Sequence, residues 1–186
     1  MRKISKISST NKLILGFALL SLGLILLIPR RSPQLTESFR DEPVVIKGFS
    51  TLGENGKLPL RIIIPEIGIN LEVKKASVID GYWEVFQESA GWGEGSGIPG
   101  EKGNQVIFAH ARKGLFLPLR SIKVGEEIYV LTEGEWYKYK VSDVKEVYPN
   151  ETDVILPTED ERLTLYTCSG FSDEKRLIVT AFRFPQ

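Results

Sequence analysis

EIYVLTEGEWYKYKV, residues 127–141, is the stretch whose pattern decides the fold. Glu127–Leu131 is rich in β-branched and aromatic residues. Trp136–Val141 follows after Thr132-Glu-Gly-Glu135, a turn signal of hairpin length. In the second strand Tyr137, Tyr139 and Val141 alternate with Lys138 and Lys140, so one face is buried and the other is wet. The alternation drifts from Asp143 to Tyr148, which predicts a bulge or bend.

The same reading extends in both directions. Upstream, Arg61–Ile64 is a β-branched run stopped by Pro65, and Asn70–Val73 follows a Gly-Ile turn. Gly81–Phe86 and Gln105–Ala109 are two further strands. Leu163–Thr167 and Leu177–Phe182 complete the set downstream, giving eight short strands in about 125 residues. The expected fold class is all-β, an eight-stranded barrel or a sandwich, with helix confined to about one turn near Leu115–Arg120. Ten prolines and 17 glycines among 186 residues suit such a loop-rich chain.

The N-terminal part has a different character. Leu13–Ile28 is an uncharged run dominated by Leu and Ile with Lys12 before it and Arg30 after it, and their long stems extend the apolar span. Ile28-Pro-Arg-Arg-Ser32 does not look like a small-residue cleavage site, so the segment reads as an uncleaved anchor rather than a removed signal. Arg2, Lys3, Lys6 and Lys12 precede it, which predicts a cytoplasmic N-terminus and an extracytoplasmic bulk. The expected organisation is a basic cytoplasmic stretch over 1–12, a single plasma-membrane span over 13–29, a linker over 30–57 and a β domain over 58–186.

Charge and composition remove several function classes. Residues 1–31 carry six basic side chains and no acid, leaving 18 basic against 24 acidic in the remainder. An acidic domain lacks the positive field that phosphate backbones need, so nucleic-acid binding is not expected. One cysteine and one histidine exclude a disulfide scaffold, a thiolate metal cluster and a His-rich metal site within the chain. Gly95-Ser-Gly-Ile-Pro-Gly100 matches the dinucleotide-binding glycine pattern, but Pro99 and a following strand give it the context of a loop. No metal or cofactor is expected.

What remains is a small constellation. His110 follows the strand QVIFA, Cys168 follows LTLYT, and Arg176 precedes LIVTAF. Seven residues, Ser169 to Lys175, separate the cysteine from the arginine. If the flanking strands form an antiparallel hairpin, Cys168 and Arg176 face each other at its open end. A lone cysteine is commonly a small buried hydrophobe. This one sits in a polar setting, Thr167-Cys-Ser-Gly170, and on the oxidising side of a membrane an unpaired thiol is a liability. Together the three groups make a cysteine acyl-transfer site. The thiolate attacks a carbonyl, the imidazole moves the proton, and the guanidinium donates to the oxyanion.

These residues resemble a known family. TLYTC at 164–168 followed by RLIVTA at 176–181 looks like the signature of the sortases, membrane-anchored transpeptidases of bacterial surfaces. VIFAH at 106–110 and RIIIPEIGI at 61–69 are similar to that family's pattern too. The resemblance runs over about residues 58–186. It implies an eight-stranded β-barrel, with Cys168 as nucleophile, His110 as acid/base and Arg176 as oxyanion or substrate-positioning group. It also implies that Thr167 lines the substrate groove. Tyr148–Glu161 matches the position of the family's specificity loop. The histidine segment reads FAHAR where many members have a Gly before the histidine, which leaves the subclass open.

The resemblance implies cleavage of a C-terminal LPxTG-like sorting signal through a thioacyl enzyme. The product passes to an amino nucleophile, a cell-wall precursor or a pilin lysine. Two alternatives are a membrane-tethered non-catalytic β domain for adhesion or scaffolding and another cysteine acyl-transferase such as an L,D-transpeptidase. The latter's SHGC-type arrangement is absent, since His110 and Cys168 lie 58 residues apart.

Overall fold

The computed structural model describes residues 57–184. The expected basic N-terminus and membrane span, and the linker up to residue 56, lie outside the described residues. No helix among the described residues is long and apolar enough to cross a membrane.

Ten strands are present among the described residues: β1 (Arg61–Ile64), β2 (Ile69–Ala76), β3 (Val78–Ile79), β4 (Tyr82–Trp83), β5 (Ala90–Gly93), β6 (Gly103–Phe108), β7 (Glu127–Leu131), β8 (Trp136–Val147), β9 (Glu161–Ser169) and β10 (Lys175–Arg183). Eight of them close a barrel in the order β1-β2-β5-β6-β9-β10-β8-β7, and β3–β4 forms a separate two-stranded sheet. β2–β5 and β6–β9 pair in parallel, and the other barrel contacts are antiparallel. Helix among the described residues is limited to 3-10 turns at Pro65–Ile67, Leu117–Ser121 and Thr152–Ile155, with a further turn at Phe171–Asp173 that is non-helical at Ser172.

Period-2 alternation builds the interior. Ile62 and Ile64, Ile128 and Val130, Leu163 and Leu165, and Val179 and Ala181 all point into one core. Each fully buried Leu or Ile there contributes roughly 1.5–3 kcal/mol. The 127–141 hairpin forms as its pattern predicts, with Leu131 opposite Trp136 and the Thr132 amide bonded to the Glu135 carbonyl at 2.9 Å. The drift beyond Val141 is a bulge. Thr180 faces Asp143 while Ala181 faces Val141, so Ser142 is the extra residue, and its hydroxyl donates to the Thr180 carbonyl at 3.0 Å. The bulge inverts the parity of β8, and Val144 packs on the core that Tyr137, Tyr139 and Val141 reach before it.

The number of barrel strands agrees with the sequence reading, but one identity does not. Gly81–Phe86 contributes only Tyr82–Trp83, paired with Val78–Ile79 outside the barrel. The missing barrel strand is Ala90-Gly-Trp-Gly93, whose glycines disguise it. Ala90 and Trp92 enter the core, whereas a Cβ on Gly93 would overlap the Trp83 ring and one on Gly91 would lie 3.0 Å from Phe108. Trp83, Phe108 and Tyr166 stack in sequence over this outer face, with centroids 5.6 and 5.0 Å apart. The strand is glycine-rich because aromatic rings occupy the space that its side chains would fill.

Candidate active site

β9 and β10 place the cysteine and the arginine. On β9 Leu163, Leu165 and Thr167 are on the buried face, so Thr164, Tyr166 and Cys168 share the other. Arg176 is directly opposite Cys168 in the antiparallel register, one step before the core residue Leu177. The two side chains are therefore neighbours across the strand pair.

β6 brings the histidine to the same place by a parallel route. Val106 faces Thr164 and Phe108 faces Tyr166. The pairing persists past the end of β6, because the Ala109 amide donates to the Tyr166 carbonyl at 3.4 Å and the Thr167 hydroxyl donates to the Ala109 carbonyl at 2.7 Å. Ala109 points into the core, so His110 continues the outer series of Val106 and Phe108. Phe108, Tyr166 and Ile178 form one row across the three adjacent strands; Cys168 and Arg176 are the next pair beyond it, and His110 lies two residues past Phe108 toward the same end. The His110 carbonyl accepts from the Arg112 and Phe116 amides at 2.9 and 3.1 Å, which fixes the chain as it leaves the strand.

The chemistry at this end is uneven. Cys168 and His110 are half-buried, and His110 Nε2 is buried with no hydrogen-bond partner among the described residues. Arg176 is only 6% exposed, and its Nη1 donates to the Asp173 carbonyl at 2.9 Å and the Lys175 carbonyl at 3.0 Å. Tyr166 is on the same face of β9 as Cys168. Burial pushes its phenol above the ordinary range, the Arg176 cation pulls it back, and charge on Cys168 adds to the rise. Sequence reasoning passed over Tyr166, although its spacing of two from Cys168 in TLYTC signals a shared face.

Thr167 links two strands. It is 1% exposed and on the core side, where its hydroxyl ties the histidine strand to the cysteine strand. Strand alternation forces this, because Cys168 and Thr167 cannot share a face. The Tyr148–Glu161 segment is anchored from below. Buried Asn104 donates to the Val154 and Leu156 carbonyls at 3.0 and 3.1 Å and accepts from the Thr164 hydroxyl at 2.7 Å. A cleft of about 350 Å³ lined by Gly134, Glu135, Trp136, Tyr137 and Arg183 lies at the other end of β8 and β10, away from Cys168. No group of three or more His, Cys, Asp or Glu side chains among the described residues is arranged to hold a metal ion.

Comparison with known proteins points the same way. Residues 62–183 match the sortase domain family. Sortase A of Bacillus anthracis is 31% identical over 128 residues, covering 65% of this chain and 57% of that protein. The chain spans about half the length of the curated relatives it matches. The structure of sortase C-1 from Actinomyces oris superposes with a TM-score of 0.59 at 29% identity, over 68% of this chain and 73% of that one. A Clostridium perfringens sortase D5 transpeptidase does so at 0.60 and 26%, over 71% and 82%. Relatives carrying the letters A, C and D thus resemble this chain to a similar degree.

Proposed function

Because this chain belongs to the sortase family, we propose that it is a cysteine transpeptidase acting on an LPxTG-like sorting signal, with Cys168, His110 and Arg176 as its reacting groups. The observation that supports this reading is that β6, β9 and β10 are adjacent strands, with Arg176 opposite Cys168 and His110 two residues past the Phe108–Tyr166 pair.

The chemistry follows from that arrangement. The Cys168 thiolate attacks the carbonyl carbon of the signal's threonine, and the carbonyl π electrons move onto oxygen as the C–S bond forms. N–H groups of Arg176 donate to that oxyanion. When the oxyanion collapses, the C–N bond to glycine breaks and imidazolium at His110 supplies the proton that the leaving amine takes up. The thioacyl enzyme is then attacked by an incoming primary amine. His110 accepts the amine's proton, the C–S bond breaks, and the thiolate returns with a new amide as product. Buried His110 Nε2, unpartnered among the described residues, suits a nitrogen that must exchange protons with transient partners. Thr167 serves as a positioning residue by holding Ala109, and through it His110, against the cysteine strand.

In this reading Leu13–Pro29 anchors the chain in the plasma membrane with the catalytic domain outside. The acceptor amine belongs to a cell-wall precursor or a pilin lysine. The test uses the full chain in detergent, an LPxTG-type peptide and triglycine, with Cys168→Ala in parallel and products read by mass spectrometry. A threonine-to-triglycine ligation product that disappears in the variant is the expected result. Product formation that survives Cys168→Ala overturns the assignment of the nucleophile. Absence of product across a library of sorting-signal peptides overturns the transpeptidase reading.

A further inference from the structure

The loop that joins β9 to β10 holds two residues in a backbone conformation that L-amino acids seldom adopt. Ser172 and Asp173 have φ of 56° and 59°. Neither is glycine, and Asp tolerates this region better than Ser does. The loop is otherwise open to solvent, with Phe171 at 86% exposure, so core packing does not impose the geometry. A cost of this kind persists only where something compensates for it.

Arg176 is what the turn touches. With Ser172 and Asp173 left-handed, the chain doubles back and the Asp173 carbonyl meets Arg176 Nη1 at 2.9 Å, while the Lys175 carbonyl meets the same nitrogen at 3.0 Å. Nη1 carries two hydrogens, and the loop's Asp173 carbonyl and the Lys175 carbonyl at the start of β10 use both. Three of the five guanidinium N–H groups, on Nη2 and Nε, are left for other acceptors. A planar group fixed by two bonds at one nitrogen has its remaining donors aimed by geometry rather than by chance.

We propose that the left-handed Ser172–Asp173 turn is a positioning element that holds Arg176 beside Cys168 through the Asp173 carbonyl. This deepens the transpeptidase reading and rests on it. Opening the turn removes one of the two acceptors that hold Nη1, and the guanidinium then loses its fixed orientation toward the thiol. Ser172 is exposed, so its side chain can be changed without disturbing the core.

The test compares Ser172→Val, which places a β-branched residue at this φ, with Ser172→Gly, which accepts it freely. The first readout needs no enzymatic activity: the rate of Cys168 alkylation by iodoacetate relative to iodoacetamide, measured on the full chain. A cation about 4 Å from an incoming carboxylate favours it about fivefold even at the dielectric of water. The wild-type ratio should exceed that of Arg176→Ala by about this factor. Ser172→Gly should keep it, and Ser172→Val should fall to the Arg176→Ala level. In the ligation reaction Ser172→Val should lower kcat with KM unchanged, and should add nothing once Arg176 is already alanine. Should Ser172→Val fail to fold, Ser172→Thr makes the same comparison with a milder side chain.

Equal ratios for wild type and Arg176→Ala would mean that the guanidinium does not face the thiol, and the reading of the site itself would fall. If that contrast holds while Ser172→Val (or →Thr in its place) keeps the wild-type ratio, only the role of the turn is overturned. A gain of ligation in Ser172→Val would overturn it as well, because the turn would then be restraining Arg176 rather than aiming it.

Discussion

The two ends of the β9–β10 pair are built from similar residue types and used in opposite ways. At the far end Glu161 Oε1 accepts from the Tyr139 hydroxyl and the Gly100 amide, both at 2.8 Å, with Arg183 Nε 3.9 Å away. The Arg183 guanidinium lies 4.8 Å over the Tyr137 ring. At the near end Arg176 sits opposite Cys168 with Nη1 alone tied to the loop, and His110 Nε2 has no partner among the described residues. One arginine faces a carboxylate already supplied with donors; the other faces a thiol. The contrast is between a carboxylate that gathers two donors and an arginine set opposite a thiol.

Substitutions that cross the two ends should sharpen that contrast. The largest effect is expected for His110→Ala, which should reduce ligation by about 10²–10⁴-fold with little change in melting temperature. A large loss of stability with modest loss of rate would break the comparison, since His110 would then be a structural group. Arg176→Ala follows at about 10²–10³-fold in kcat, the scale for removing one oxyanion donor.

Thr167→Val lies between the ends in character. It leaves the buried Ala109 carbonyl without its hydroxyl donor and should cost about 1–3 kcal/mol in urea denaturation. It should also lower kcat about ten- to a hundredfold through displacement of His110, and Thr167→Ser should restore both. At the clasp, Tyr139→Phe deletes one bond to Glu161 and should cost about 0.5–1.5 kcal/mol while ligation stays at the wild-type rate. A kinetic defect there would show that the far end is coupled to the near end.

The smallest effect is alkaline. Burial and the hydrogen bond to Glu135 push the Tyr137 phenol up from 10.0 to about 12. The folded chain keeps this proton where the unfolded chain releases it. The stabilisation is therefore whole below pH 10.0 and fades as pH rises toward about 12. Stability measured by urea denaturation across that window should fall less steeply in Tyr137→Phe than in the wild type.

The sequence was legible where the pattern is local. The 127–141 hairpin, the drift that became the Ser142 bulge, and the antiparallel register of Cys168 with Arg176 all depend on neighbours in the chain. β5 was hidden because Gly91 and Gly93 carry no strand propensity; their reason is the Trp83 and Phe108 rings, which come from other strands. The pairing of the histidine strand with the cysteine strand has no local signature either, since it is a parallel pairing across 58 residues, as in Phe108 with Tyr166. What pointed to His110 was its being the single histidine of the chain, at the end of a strand. The left-handed turn at Ser172–Asp173 was unreadable because neither residue demands that conformation.

The place of β10 in the sheet has a consequence for the order of events in synthesis. β10 is the last barrel strand in sequence, yet it lies between β8 and β9 and carries the arginine. A growing chain therefore has its imidazole and thiol before it has the strand that joins the two halves of the wall. Until that strand arrives, β8 and β9 are open edges, the cation is absent, and closure waits on long-range contacts that form slowly. The thiol therefore gains its neighbouring charge only when β10 docks between β8 and β9.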